Sequence, residues 1–303
     1  MTTNARIMKY IKNSTAFLIG GFLSLSSYGA PTGTLGKDNH PNMVSHRLQF
    51  EEVQDSNPFS ITAYQPNYVL PVNYTSSLSP IYKGITPNNQ KIQNVDLKFQ
   101  FSFKAPVWRN FFGRNNALYI AYTQQSFWQA YNDSPFFRAN NYQPEIFLEN
   151  NINLPLWVGW SLHLLNVGAM HQSNGRGGLL ERSWNRVYLE ASLSKGRWLV
   201  SIKPWYILQQ TSFKTQNPDI EHYLGHGRLL IAYKFKRQVV SLETYNNVES
   251  GFCRSSVQAN YSFPLIKKVR GFAQFFSGYG QSLLEYNHRT TSVGLGISLS
   301  DWL

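Results

Sequence analysis

The chain has 303 residues, with 28 Lys and Arg against 16 Asp and Glu, a net charge of +12, and many aromatics: 20 Phe, 18 Tyr and 8 Trp. Its one cysteine, Cys253, excludes an intramolecular disulfide, and no run of about 18 consecutive apolar residues follows residue 30, which excludes a transmembrane helix there. The basic residues are scattered and no nucleic-acid-binding motif is visible, so the charge points to a solvated surface or to anionic lipid headgroups rather than to nucleic acid.

Arg6, Lys9 and Lys12 precede an apolar run from Ala16 to Leu25, and the small residues Gly29 and Ala30 follow. That order reads as a signal peptide over residues 1–30. Residues 31–60 are polar and irregular and read as an N-terminal arm. An exported chain without a transmembrane helix is either soluble or a β-barrel.

From residue 61 to 303 the pattern is two-residue alternation broken by turns. Val95, Leu97, Phe99, Phe101 and Phe103 alternate with Asp96, Lys98, Gln100 and Ser102. Val257, Ala259, Tyr261 and Phe263, and then Val293, Leu295, Ile297 and Leu299, repeat the pattern. Noisier segments fall near 64–73, 117–129, 142–150, 160–173, 184–194, 198–209, 221–234, 238–247 and 268–277. The sum is about twelve strands, an even number as an outer-membrane barrel requires. The predicted fold is therefore an all-β transmembrane antiparallel barrel, its last strand running to the terminus with Trp302 and Leu303. The alternative, a soluble β-sandwich, predicts more charge on the outer faces than this chain offers.

Within that pattern, His171 and Ser173 share one face of a strand, because side chains alternate with a period of two. Leu165, Val167 and Ala169 lie on the same face. On the next strand Asn185 falls in line with Val187, Leu189, Ala191 and Leu193. A potential nucleophile, base and orienting amide therefore lie on the apolar side of two neighbouring strands, which in a barrel faces lipid. A lone His and Ser at a strand end are ordinarily interfacial polar residues. Three polar groups on lipid-facing positions are costly without a role. By the same parity Gln124, in step with Leu118, Ile120 and Tyr122, faces lipid, where an amide needs a partner.

The chain resembles the outer membrane phospholipase A family. The resemblance rests on His171-Gln-Ser173-Asn-Gly175-Arg176 and on Arg182-Ser-Trp-Asn185-Arg186, with fourteen residues from His171 to Asn185. Tyr122-Thr-Gln124, Ser134-Pro-Phe136, Lys203-Pro-Trp-Tyr206 and Asn217-Pro-Asp-Ile220 add to it. The blocks extend over most of residues 90–303 and are weak over 31–90.

The resemblance implies a twelve-stranded outer-membrane barrel that hydrolyses acyl esters of phospholipids and lysophospholipids. Ser173 is then the nucleophile, His171 the base, Asn185 the orienting residue and the Gly175 N–H part of an oxyanion hole. It implies dependence on calcium, held by the backbone carbonyl of Arg176, by Glu181 where a hydroxyl residue is often found, and by Asp133 or Ser134 of a partner subunit. A competing reading pairs Glu181 with Arg182 or Arg186 in a solvated ion pair. The resemblance also implies an active homodimer with Gln124 at the interface. A passive porin or an adhesin barrel is the rival function. Either needs only the barrel and leaves His171, Ser173 and Asn185 unexplained.

Overall fold

The computed structural model describes residues 60–302 apart from 113–114, 209–215, 246–249 and 267–268. The expected signal peptide and, but for Ser60, the expected arm lie outside the described residues. Among the described residues thirteen strands form one antiparallel sheet. They are β1 (Thr62–Ala63), β2 (Asn67–Thr75), β3 (Val95–Arg109), β4 (Asn116–Gln129), β5 (Phe136–Pro155), β6 (Ser161–Ser173), β7 (Ser183–Lys195), β8 (Trp198–Leu208), β9 (Gly227–Phe235), β10 (Gln238–Tyr245), β11 (Ser256–Ile266), β12 (Val269–Gly278) and β13 (Thr290–Ser300). Pairing of β13 with β2 and of β3 with β4 closes β2–β13 into a 12-stranded barrel. β1 is a two-residue bridge onto Phe103 and Lys104.

The barrel wall sorts side chains as the alternation predicts. Val72, Ile120, Ile146, Val167, Leu189, Ile202, Val240, Val293 and Leu295 are exposed on the outside. An apolar surface this extensive is what lipid covers. The inside is polar and closed. Its buried cations Lys98, Lys104, Arg138, Arg186, Lys203 and Arg228 match the six buried anions Asp96, Glu145, Glu149, Glu190, Glu243 and Glu285. Ion pairs link strands across this interior: Lys104–Glu149 at 3.0 Å, Lys203–Glu145 at 3.0 Å, Arg228–Glu190 at 2.7 Å, and Arg138 to both Asp96 at 2.9 Å and Glu285 at 2.7 Å. A cavity of about 90 Å³ remains among Gln100, Gln125, Gln172, Glu243 and Asn260, room for a few waters. This filled interior does not suit a diffusion channel.

The two barrel ends differ. At one end the strands are joined by two residues between β7 and β8 and by two between β9 and β10. At the other end the connections run over 76–94, 174–182 and 279–289. Barrels of this class carry short turns on the periplasmic side and long loops outside. The C-terminal end of β6 and the N-terminal end of β7 therefore lie at the outer-leaflet level.

Two details depart from the sequence reading. The expected strand over 221–234 begins only at Gly227, because Glu221–Leu224 is a helical turn. Backbone bonds from Leu224 to Ile220 and from Gly225 to Glu221, both 2.9 Å, hold that turn, and Gly225 ends it at φ +62°. Leu224 belongs there to the buried cluster that also holds Leu283 and Tyr286. The last strand ends at Ser300 rather than at the terminus. Asp301 pairs with Arg270 at 2.9 Å, and buried Trp302 lines the lumen cavity beneath Arg228. Leu303 lies outside the described residues.

Candidate active site

β6 and β7 are antiparallel neighbours, and their register sets His171 directly opposite Asn185. His171 Nδ1 lies 2.8 Å from Asn185 Oδ1. An amide oxygen accepts only, so this contact places the imidazole proton on Nδ1 and leaves Nε2 free to take one. Val167 and Val187, 54% and 39% exposed on the same face, show that the pair stands on the outer wall. Ser173 is one pleat further along β6, at its end, and its hydroxyl makes no hydrogen bond among the described residues. The spacing along the strand is about 7 Å between Cα atoms, within reach of an imidazole edge after rotamer adjustment.

The inward residues of the same hairpin form a second layer. Gln172 Oε1 accepts from Trp184 Nε1 at 2.9 Å and from Arg186 Nη2 at 2.8 Å. Arg186 lies over the Trp184 ring at 3.7 Å, and Trp205 stands edge-on to Trp184. The sequence reading gave Gln172, Trp184 and Trp205 no role of their own, and offered Arg186 only as a partner for Glu181. Parity alone puts them inside, but nothing in the sequence names their partners.

The loop leaving β6 is fastened by buried Asn174. Its Oδ1 accepts the N–H groups of Arg176 at 3.2 Å and Arg182 at 3.0 Å, and its Nδ2 donates to Leu180 O at 2.7 Å. Gly175 adopts φ +66°, and a Cβ there would sit 2.5 Å from the Tyr142 ring. Backbone conformation and space thus both require glycine. The Arg176 guanidinium donates to the carbonyls of Phe137 at 3.2 Å and Arg138 at 2.9 Å, which pins the loop to the start of β5.

Glu181 ends the 3₁₀ turn Gly178–Leu180 in this loop. Its carboxylate makes no ion pair among the described residues. Arg182 donates instead to the carbonyls of Leu179 and Glu181, and Arg186 is buried inside the barrel. The competing reading of a Glu181 ion pair is therefore not realised. The Arg176 carbonyl likewise accepts no hydrogen bond among the described residues. Both are hard oxygen donors of the kind calcium takes. Among the described residues no group of three or more His, Cys, Asp and Glu gathers to hold a metal. Asp133 is exposed and Ser134 half-buried in the β4–β5 connection at this end of the barrel. The Ser134 carbonyl accepts from Gln90 at 2.6 Å.

Gln124 faces outward on β4, as parity requires. Its Oε1 accepts from the Tyr122 hydroxyl and its Nε2 donates to Ser126 Oγ, both at 3.1 Å. Its amide is thus partnered within one chain, and half of its hydrogen-bonding capacity stays open.

A closed twelve-stranded barrel with an apolar outer belt and a filled lumen defines a transmembrane β-barrel of the outer membrane, and it carries a His–Asn pair on its outer wall. A family model for phospholipase A1 matches residues 44–299, reaching further toward the N-terminus than the motifs alone. Phospholipase A1 of Escherichia coli K12 is 37% identical over 265 residues, covering 86% of this chain and 87% of the relative. The solved Salmonella typhi outer membrane phospholipase, a dimer with bound calcium, has a TM-score of 0.77 at 36% identity, covering 82% of this chain and 96% of the other. An active-site mutant of the E. coli outer membrane phospholipase A, with an asparagine changed to alanine, gives a TM-score of 0.76 at 36% identity, covering 82% and 94%. The chain belongs to the phospholipase A1 family and is an outer-membrane barrel.

Proposed function

We propose that this protein is a calcium-dependent, serine-type phospholipase of the A1/A2 kind, hydrolysing acyl esters of phospholipids and lysophospholipids. The observation that carries the reading is the 2.8 Å contact of His171 Nδ1 with Asn185 Oδ1 on the lipid-facing wall, with Ser173 on the same face. Ser173 Oγ attacks the acyl carbonyl carbon and passes its proton to His171 Nε2. Asn185 holds the ring in the tautomer this needs. The Gly175 N–H faces the oxyanion that develops on the former carbonyl oxygen. Collapse expels the lysolipid, which takes the proton from His171. Water then attacks the acyl-Ser173 ester, with His171 as base, and frees the fatty acid. The asparagine changed in the E. coli active-site mutant supports the role given to Asn185.

The Arg176 carbonyl, Glu181 and Asp133 or Ser134 of a second copy would hold calcium. When bound, the ion supplies positive charge beside the oxyanion. The calcium-bound dimer of the S. typhi relative supports both the metal and a homodimer, and outward-facing Gln124 would lie at the contact between the two copies. Residues 1–30 would direct export.

The test is fatty-acid release from mixed micelles by detergent-solubilised protein, with calcium and then with a chelator. Release that stops on chelation, and is absent from Ser173→Ala, supports the reading. Release that persists in Ser173→Ala overturns it.

A further inference from the structure

We propose that Gln172 is a positioning residue for the His171–Asn185 pair, acting from inside the barrel. The inference rests on the function proposed above and assigns a device behind the reactive face. Gln172 lies between His171 and Ser173 on β6, and Trp184 and Arg186 bracket Asn185 on β7. One carbonyl oxygen, Gln172 Oε1, takes hydrogen bonds from both of these brackets, at 2.9 and 2.8 Å. The inner side of the hairpin is therefore cross-linked at the level where the outer side carries the imidazole–amide contact.

The chemistry of the inner layer makes this cross-link costly to lose. Arg186 is buried and has no carboxylate partner among the described residues. Its charge rests on the Trp184 ring and on the dipole of the Gln172 carbonyl. Its Nε has no hydrogen-bond partner among the described residues. Removing the Gln172 oxygen strands two buried donors, one of them cationic, beside the lumen cavity that Gln172 lines. Trp184 and Arg186 must then shift toward water in that cavity, and the backbone of β7 shifts with them. Asn185 sits between the two. A displacement of a few tenths of an ångström there weakens the 2.8 Å contact without touching any reacting atom.

The experiment uses the full-length protein in detergent, with kcat and KM measured on mixed-micelle phospholipid in calcium. Gln172→Leu keeps the shape and removes the acceptor. We expect kcat to fall about ten-fold or more, KM to change less than about two-fold, and the folded band on unheated gels to persist. Gln172→Glu restores an acceptor for both donors and recovers most of kcat. The decisive arm is Gln172→Leu combined with Asn185→Ala, where the loss from Gln172→Leu shrinks to about two-fold or less because its target is gone.

An equal loss with and without Asn185 overturns the proposal, since that marks a general structural defect. Undiminished kcat in Gln172→Leu overturns it too. If Gln172→Leu does not fold, Trp184→Phe takes its place in the same cycle, because it keeps the ring under Arg186 and removes one donor. Failure here leaves the effect of Ser173→Ala intact, whereas failure of the serine mechanism itself appears in Ser173→Ala.

Discussion

Gln124 and Ser173 stand in one row across the outer wall of the barrel, with Tyr142 between them as register partner of both. Two interstrand steps, about 10 Å, separate the amide from the hydroxyl-bearing residue. On the proposed function, a surface that meets a second copy at Gln124 abuts the reactive face, and the acyl chain of a substrate at Ser173 would lie where that copy can cover it.

This relationship makes the proposed interface residue testable apart from the chemistry. Gln124→Leu removes two side-chain hydrogen bonds on the outer wall and leaves the backbone ladder of β4 whole, so the barrel should stay heat-resistant. We expect it to lower the cross-linked dimer fraction in calcium, and activity several-fold in parallel. An unchanged dimer fraction would remove Gln124 from the interface.

Ser173→Ala and His171→Ala should each reduce fatty-acid release by about a thousand-fold or more while the folded band on unheated gels persists. Asn185→Ala should cost less, about ten- to a hundred-fold, because it orients the ring without exchanging a proton. Equal losses in all three would show that the amide does more than orient.

Gly175 carries two constraints, a φ of +66° and a Tyr142 ring in the space a Cβ would need. Gly175→Ala should therefore lower kcat about a hundred-fold with little change in KM, as loss of an aligned oxyanion donor does. Stopped-assay kinetics on dispersed substrate would read it. A rise in KM at constant kcat would instead assign Gly175 to substrate binding.

Glu181 presents a carboxylate without an ion pair among the described residues, in the same 174–182 loop as the Arg176 carbonyl. Glu181→Ser should raise the calcium concentration for half-maximal activity about ten-fold, and the concentration for half-maximal cross-linked dimer with it. A calcium titration that does not move would show that the carboxylate is not a ligand.

Lys203 sits 3.0 Å from Glu145 and 3.7 Å from Glu190 inside the barrel. Lys203→Met leaves Glu145 without its cation and should cost about 3–5 kcal/mol of stability, read as a lower urea midpoint in micelles. Adding Glu145→Gln should recover most of the loss. If the double variant is no more stable than the single one, the lost ion pair is not the cause.

Much of the fold was legible in the chain because a lipid-spanning barrel imposes a strict two-residue period on every strand. Val95 to Phe103 and Val293 to Leu299 follow it without a break. The period weakened where the chain leaves the wall. Glu221-His-Tyr-Leu falls in a segment read as a noisy strand, yet it forms a helical turn over the mouth, where Leu224 joins the buried cluster that also holds Leu283 and Tyr286. Trp302 likewise fits a final strand, but Asp301 finds Arg270 and draws the end of the chain inward. Such outcomes depend on partners distant in sequence, which local pattern does not record.

The sequence by itself determined which way His171, Ser173, Asn185 and Gln124 face, since covalent geometry makes strand side chains alternate and an apolar set marks the lipid side. Only the tertiary structure decided that the hairpin is antiparallel in the register that sets His171 against Asn185, that Gln172 joins Trp184 to Arg186, and which cation answers which carboxylate in the lumen. A connection as long as 174–182 leaves strand register open, and closure of the barrel with its stagger fixes it.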